Sequence, residues 1–279
     1  DDDCVRWLEV GTQHLRMLES PLSIARIMQQ RLLQRTLDED VNNESKDRNY
    51  SGRKAWIFTS ATLGNDARLS WFTDSCGLHG AKVLQVESPF DYHHQAGVYV
   101  PQPFAAAGSV QHSLQVAPLV LDAAQRIGGR TLVLTTTLKA LHAISESLRS
   151  ALGLFADLDV LVQGEAPKLA LIQRFMAAGV SQSPQPRGAI LVASATFWEG
   201  VDLPGDLLQL VVIDKLPFPP PDDPLVEARS RQLERVGRTA FHDYMIPEAA
   251  LALKQGAGRL IRSESDRGVL VICDSRLVS

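Results

Sequence analysis

The segment GGRTLVLTTTLKALHAISESLRSALG, residues 128–153, indicates the fold class of this chain. Its first part, RTLVLTT at 130–136, is an almost continuous apolar run of strand length, and its second part, 138–152, has apolar residues at helical spacing. A strand that is apolar on both faces must be covered on both faces, which is typical of parallel sheets with helices on either side. The stretch therefore predicts one strand–helix unit of an α/β fold.

The same alternation recurs along most of the chain. Apolar runs of strand length lie at 55–60, 82–86, 97–101, 130–136, 159–163, 189–194, 208–214 and 268–274. Segments with helical spacing lie between most of them, at 109–127, 138–152, 166–178 and 222–238. Strand–helix alternation over this length predicts a three-layer α/β sandwich around a mostly parallel sheet.

The first 53 residues follow a different pattern. Residues 4–19 predict two short strands joined by a turn, and 21–37 have the apolar face of an amphipathic helix. Residues 38–53 contain almost no apolar side chains, which indicates a solvated linker. We therefore expect 1–53 to be the tail of a preceding region, with a short hairpin and helix, and 54–279 to form the α/β domain.

The composition and charge narrow the class of protein. The 279 residues carry a formal net charge of −4, which argues against a protein that coats nucleic acid or a membrane but leaves room for a local basic groove. No apolar run approaches the roughly 18 residues that a membrane span requires. The three cysteines lie far apart without metal-ligand spacing, so we expect reduced thiols, no metal site and a cytoplasmic protein.

The segment QGAGRLIRSESDRG, residues 255–268, is the first candidate site. Gln255, Arg259 and Arg262 are spaced by four and three residues, so a helix would place them on one face. Two guanidiniums on that face favour a planar anion such as phosphate, which Gly258 would allow to approach closely. A solvated or salt-bridged arginine face has the same spacing and is the alternative.

The segment TSATLG, residues 59–64, follows a predicted strand, where ligands collect in open parallel sheets. The hydroxyls of Ser60 and Thr62 are available there to a neighbouring polar group. A simple cap of the next helix is the alternative reading of the same residues.

The segment LTTTLKAL, residues 134–141, also follows a predicted strand. Thr136 or Thr137 is expected to cap the next helix, and Lys139 lies in its first turn. A helix N-terminus with a lysine is a favourable contact for the phosphates of a nucleotide or of nucleic acid, so Thr135, Thr136 and Lys139 are candidate DNA contacts. An ordinary capped helix with a surface lysine is the alternative.

The segment SATFWEGVDLPGD, residues 194–206, combines two carboxylates, a glycine and an indole. Glu199 and Asp202, with Gly200 between them, suit a ribose hydroxyl, a bound water or arginines across a cleft. Trp198 offers a surface for stacking on a base or for packing. Solvated acidic side chains in a loop are the alternative.

Two motifs of nucleotide hydrolases are absent from the sequence. No GxxxxGK[ST] segment is present, so the chain lacks the loop that cradles phosphates in such enzymes. No acidic pair follows an apolar strand in a position to hold magnesium. If the candidate arginines bind a nucleotide, the rest of that site lies outside this chain.

Taken in order, five segments of the chain resemble the C-terminal motor half of DinG/YoaA-type helicases, bacterial relatives of XPD in helicase superfamily 2. These segments are TSATL, GRTLVLTTT, ATFWEGVDLPG, KLPFPPPDDPL and QGAGRLIRSESDRGVLVICDSRL. The resemblance runs from about residue 4 to the end and is most specific over 190–277. It implies a second RecA-like motor domain of an ATP-dependent DNA helicase that translocates 5′ to 3′.

The resemblance also implies roles for the candidate residues. Arg259 becomes the arginine finger on the γ-phosphate of ATP, with Arg262 as a second contact or an interdomain pair. Gln255 and Gly258 belong to the same nucleotide-facing motif. The residues implied to couple the two motor domains, or nucleotide state to the DNA track, are Ser60, Thr62, Glu199, Gly200 and Asp202.

Cofactors and partners follow from the same resemblance. ATP and Mg²⁺ are expected to be bound mainly by a first RecA-like domain outside this chain, so the chain alone is expected to be inactive. Many members of the family carry a four-cysteine iron–sulfur domain upstream, so the resemblance allows such a cluster in the full-length protein but not in this chain. Expected partners are single-stranded or forked DNA, the first RecA-like domain and a replication or repair protein, but no membrane. A non-motor nucleic-acid or protein docking module of the same fold is the alternative.

Overall fold

The computed structural model describes residues 4–34, 55–64, 66–153, 157–180, 188–194, 197, 203 and 205–278. The chain divides into two compact units. The first, here called the split unit, is Asp1–Glu87 with Pro219–Ile246, and the second, the sheet unit, is Ser88–Phe218 with Pro247–Ser279. The domain division predicted between 53 and 54 falls outside the described residues and stays a prediction.

The described part of the chain contains eight strands and eight α-helices. The described strands are β1 (Cys4–Val10), β2 (Leu15–Pro21), β3 (Ala96–Tyr99), β4 (Thr131–Thr135), β5 (Leu158–Val162), β6 (Gly188–Ser194), β7 (Leu210–Ile213) and β8 (Gly268–Ile272). The described α-helices are α1 (Ala25–Met28), α2 (Ser70–Ser75), α3 (Tyr92–Gln95), α4 (Val110–Arg126), α5 (Leu138–Leu152), α6 (Lys168–Val180), α7 (Pro224–Arg235) and α8 (Ile246–Ala257). Short π-helical turns follow α1 at Gln29–Gln34 and precede α8 at Phe241–Met245.

The strands β3 to β8 form one sheet in the order β3-β8-β7-β4-β6-β5, and every neighbouring pair is parallel. In β4, Thr131 pairs with Ile190 of β6 on one side and with Leu210 of β7 on the other. The strands β1 and β2 form an antiparallel hairpin with Cys4 opposite Pro21. The predicted fold class, a mostly parallel α/β sheet with a short N-terminal hairpin, is confirmed.

The central strands are buried on both faces, as their composition requires. Leu132 of β4 lies in one apolar cluster with Leu171 of α6. Its neighbour Val133 points to the opposite face, into a second cluster with Val116 of α4 and Leu141 of α5. Because successive side chains of a strand alternate between faces, these two clusters are the two interfaces of a three-layer sandwich.

Two of the predicted strands are not strands in the structure. Residues 55–60 and 82–86, both in the split unit, have no regular secondary structure. The side chains of Ile57, Leu84 and Val86 are 83%, 85% and 83% exposed. The prediction is wrong because an apolar run becomes a strand only when a neighbour takes its backbone hydrogen bonds, and neither run pairs with a strand in the described part of the chain.

Candidate functional site

Helix α8 ends before the two candidate arginines. Its last residue is Ala257, so Gln255 is helical and exposed, whereas Arg259 and Arg262 lie in the loop that leads to β8. Exposed Gly258 is the first residue after the helix, and glycine is a poor helix former. The prediction that the glutamine and both arginines share one helical face is therefore wrong.

The arginine loop, defined as residues 259–267, is organised by one carboxylate. Asp266 is only 3% exposed. Its Oδ2 accepts from Arg262 N at 2.8 Å and from Ser263 N at 2.9 Å, and its Oδ1 accepts from Ser263 Oγ at 2.5 Å. Burial on its own raises the pKa of Asp266, but these hydrogen bonds and the Arg262 charge outweigh it and hold that pKa below its usual value. The loop is therefore built around an ionised aspartate.

Apolar side chains anchor the same loop in the sheet unit. Leu260 and Ile261 are buried in the cluster that also contains Leu132. Arg259 and Arg262 lie on either side of this pair and are half-buried. Burial lowers the pKa of Arg262, an effect that the charge of Asp266 opposes. Both guanidiniums thus extend from a backbone that is held in place.

A glutamine from a distant part of the sequence also contacts the arginine loop. Gln95, the last residue of α3, is 7% exposed. Its Nε2 donates to Ser263 O at 2.9 Å and to Asp266 O at 3.1 Å. Sequence reasoning missed this residue because a single glutamine ahead of a short strand belongs to no motif, and its partner Ser263 is 168 residues away.

The carboxyl end of β4 holds the candidate DNA contacts. Thr135 is buried, and its Oγ1 donates to Ala193 O at 3.4 Å. Thr136 is half-buried, and Lys139 is exposed in the first turn of α5. Thr137 caps that helix by accepting from the backbone N of residue 140 at 3.2 Å. The structure therefore brings Thr136 and Lys139 to one strand end, while the Thr135 hydroxyl is engaged inside the sheet.

A second buried aspartate, which sequence reasoning missed, lies beside Thr136 at the end of β7. Asp214 is 0% exposed, and its Oδ1 accepts from Thr136 N at 3.0 Å and from Lys215 N at 2.8 Å. In the described part of the chain, Asp214 Oδ2 and Thr136 Oγ1 make no hydrogen bond. Burial raises the pKa of Asp214 to about 7, although hydrogen bonds and the Lys215 charge oppose this rise.

A third aspartate follows β8. Asp274 accepts from Leu216 N at 2.9 Å and from the Arg276 guanidinium at 2.9 and 2.6 Å. These bonds fasten the segment that follows β7 to the end of β8. Within the ranges that the structure describes, no three histidine, cysteine, aspartate or glutamate side chains come together as a metal site.

The remaining candidates lie in the split unit or outside the described residues. Ser60 Oγ and Thr62 Oγ1 are 3.2 Å apart, and Ser60 Oγ accepts from Thr62 N at 3.1 Å, so both hydroxyls belong to one local turn. The candidates Trp198, Glu199, Gly200 and Asp202 lie outside the described residues. Two neighbours in their segment, Phe197 and Leu203, are buried in the apolar cluster of Leu132.

Comparisons with known proteins match this chain to helicases. Residues 120–279 match the family model of the helicase C-terminal domain. The ATP-dependent DNA helicase YoaA of Escherichia coli (strain K12) is 38% identical over 272 residues, which are 98% of this chain and 38% of that protein. The ATP-dependent helicase DinG of Mycobacterium tuberculosis is 34% identical over 235 residues, 81% of this chain and 33% of that protein.

The structural comparison shows the fold. A solved XPD helicase superposes with a TM-score of 0.50 at 18% identity, over 66% of this chain and 32% of that chain. The present chain thus spans only 38% and 33% of the length of the two curated relatives. None of the helices that the structure describes has both the length and the apolar character needed to cross a membrane.

Proposed function

The chain belongs to the helicase C-terminal domain family as a homologue of the YoaA and DinG helicases, and on that premise we propose that it is the second RecA-like motor domain of a cytoplasmic ATP-dependent DNA helicase. In this proposal residues 54–279 are the motor domain and 1–53 are the tail of the preceding region. The full-length protein moves 5′ to 3′ on single-stranded or forked DNA and works with a replication or repair protein.

The anchored arginine loop is the observation that carries the proposal. Arg259 stabilises the charge that spreads over the γ-phosphate during transfer, and Arg262 makes a second contact. Donors aimed at developing charge are most effective when they need no rearrangement. The buried Leu260–Ile261 pair and the bonds of Asp266 support such a preorganised presentation.

The nucleotide itself is shared with a first motor domain outside this chain. Gln255 and Gly258 face the nucleotide beside Arg259, and the first domain supplies the phosphate loop and the ligands of Mg²⁺. Because the described residues form no cluster of three ligating side chains, we assign no Mg²⁺ ligand to them. An iron–sulfur cluster, if the full-length protein holds one, belongs to the upstream region as well.

The DNA track runs along the carboxyl ends of the strands. Lys139 contacts backbone phosphates, and Thr135 and Thr136, whose hydroxyls are buried, support that strand end. Exposure of Lys139 at a capped helix N-terminus supports this assignment. In the segment after β6, Trp198 stacks on a base, and Glu199, Gly200 and Asp202 link the track to the nucleotide.

The split unit is the proposed contact with the first motor domain. Its runs 55–60 and 82–86 carry apolar side chains such as Ile57 and Leu84 that are 83% and 85% exposed. Contiguous exposed apolar residues are typical of surfaces that another part of a protein covers. Ser60, the last residue of the first run, and Thr62, two residues later, couple the two motor domains.

Removal of the proposed finger tests this function. In the full-length protein, Arg259→Ala is expected to reduce ATP turnover ~10³-fold or more, because charge on the transferring phosphoryl group loses its stabilisation. Binding of a fluorescent ATP analogue is expected to change little. The matched control is Arg126→Ala, an exposed arginine paired with Asp122 on α4, which should leave turnover within about two-fold.

The opposite results are informative too. Near-normal turnover by Arg259→Ala would overturn the finger and favour a docking module without a motor cycle. The isolated 279-residue chain is expected to hydrolyse no ATP, and DNA-stimulated hydrolysis by it would contradict the proposed division of the nucleotide site. Strand displacement on duplexes with either a 5′ or a 3′ single-stranded tail checks the direction of movement.

A further inference from the structure

Gln95 ties the arginine loop to the edge strand that lies beside β8. It ends α3 immediately before β3, the edge strand that pairs with β8. One amide nitrogen donates to two main-chain oxygens, those of Ser263 and Asp266, at 2.9 and 3.1 Å. A side chain from a separate part of the sequence thus bridges the ends of a four-residue turn.

The chemistry of the contact fixes the orientation of the Gln95 amide. Both partners are carbonyl oxygens, which only accept hydrogen bonds, so the NH₂ group must face them. The opposite atom, Gln95 Oε1, is then left in a buried position with no hydrogen bond to a described residue. A buried acceptor without a partner costs stability. This arrangement favours a geometric role over a contribution to folding.

The bonds of Gln95 continue to the arginines through one short chain of contacts. Gln95 holds the carbonyls of Ser263 and Asp266, and the Asp266 carboxylate in turn accepts from the backbone N of Arg262 and Ser263. Arg259 begins the same loop, three residues ahead of Arg262. Gln95 therefore holds the part of the loop from Arg262 to Asp266, and the proposed finger belongs to the same loop.

We propose that Gln95 is a positioning residue that holds the arginine loop in the geometry needed to meet the γ-phosphate of ATP. It touches neither the nucleotide nor the DNA. The inference rests on the proposed function, because it assigns to Gln95 a role in the action of Arg259. Its expected signature is a loss of turnover without a loss of nucleotide binding.

The test variant is Gln95→Met in the full-length protein, which keeps an unbranched side chain of similar length and removes both donors. We expect kcat for DNA-stimulated ATP hydrolysis to fall about tenfold or more, since small misplacements of a catalytic group are costly. KM and the affinity for a fluorescent ATP analogue are expected to stay within about two-fold. Gln95→Glu, which also lacks the donors, is expected to lose turnover in the same way.

A second measurement does not depend on activity. Hydrogen exchange followed by mass spectrometry is expected to show faster exchange of the amides of Arg262 and Ser263 in Gln95→Met, because their acceptor Asp266 is less well held. The matched control is Gln115→Met, which removes a different glutamine bond, the one from Ala105 N to Gln115 Oε1 at 2.8 Å. This control should speed exchange near Ala105 only and keep kcat unchanged.

The outcomes separate this inference from the function on which it rests. Low turnover in both Arg259→Ala and Gln95→Met, with faster loop exchange in the latter, supports both. Low turnover in Arg259→Ala with normal turnover and normal loop exchange in Gln95→Met overturns the role of Gln95 alone. Normal turnover in Arg259→Ala overturns the arginine finger itself. A rise in KM equal to the loss of kcat in Gln95→Met would also contradict a positioning role.

Discussion

Two buried aspartates of the sheet unit sit at proposed functional segments, and their ionisation is tuned in opposite directions. Asp266 in the arginine loop accepts three hydrogen bonds from Arg262 and Ser263 and lies near the Arg262 charge. Asp214 at the end of β7 accepts two backbone bonds on one oxygen, while the other makes none to a described residue. The pKa of Asp266 is lowered, and that of Asp214 is raised to about 7.

The difference shows how depth of burial and local hydrogen-bond donors together decide whether a carboxylate is ionised. Burial raises the pKa of both residues, but Asp214 lies much deeper in the protein than Asp266, so the loss of solvent acts on it more strongly. Asp266 gains enough donors and positive charge to stay ionised, and it therefore organises a loop that carries arginines. Asp214 is buried more deeply and gains fewer donors, so it keeps its proton up to about neutral pH at the strand end where Thr136 lies.

The largest expected effect comes from removing the carboxylate of Asp266. Asp266→Ala leaves the backbone N–H groups of Arg262 and Ser263 without their acceptor, and we expect a loss of roughly 3 kcal/mol in the free energy of unfolding. Urea unfolding of the 279-residue chain, followed by circular dichroism, measures this loss.

A variant that removes only one of the bonds to Asp266 is the control for this prediction. Ser263→Ala removes only the hydroxyl bond to Asp266, so its cost is expected to be about 1 kcal/mol. If both variants cost the same small amount, the loop is held by the buried Leu260 and Ile261 and the carboxylate has no organising role.

The sequence predicts one of two similar apolar runs correctly as a strand and the other wrongly. The β4 run 130–136 is apolar enough to identify a central parallel strand, because that property is local. Residues 55–60 are similarly apolar and yet form no strand, because pairing depends on a neighbour that the run itself does not contain.

The residues of the candidate site are likewise only partly identifiable from the sequence. Arg259 and Arg262 are identifiable by residue type and spacing, but the end of α8 before them alters their geometry. Gln95 and Asp214 are recognisable only in three dimensions, because their hydrogen-bond partners lie 168 and 78 residues away. Asp266 is the exception, since an acid three residues after Ser263 is a local signal for a side-chain-capped turn.

The intermediate effect concerns the pH dependence of Asp214. The pKa of Asp214 is 3.8 in the unfolded chain and about 7 in the folded chain, so the folded state holds the proton more tightly. The free energy of unfolding therefore falls as pH rises from about 4 to about 7. Asp214→Asn keeps an oxygen for Thr136 N and Lys215 N and carries no charge. At about pH 8 we expect it to be more stable than the wild type by on the order of 2 kcal/mol.

Thermal melting at several pH values checks this expectation. The difference between Asp214→Asn and the wild type should shrink as pH falls towards about 5, where the wild-type aspartate is protonated in the folded state. A difference that is the same at both ends of this range would mean that the raised pKa is not its cause. Asp266→Asn should show no such neutral-pH gain, since the pKa of Asp266 is lowered.

The smallest expected effect is at Thr136, whose Oγ1 makes no hydrogen bond to a described residue and whose backbone N–H carries the bond to Asp214. Thr136→Val keeps that N–H, so we expect stability to change by less than about 1 kcal/mol, whereas Thr135→Val loses the bond to Ala193 O and costs about 1 kcal/mol. In the full-length protein, Thr136→Val should leave single-stranded DNA binding within about two-fold because that hydroxyl is buried, whereas Lys139→Ala should weaken it. A loss of DNA affinity in Thr136→Val with unchanged stability would contradict this expectation and would place the hydroxyl on the DNA track.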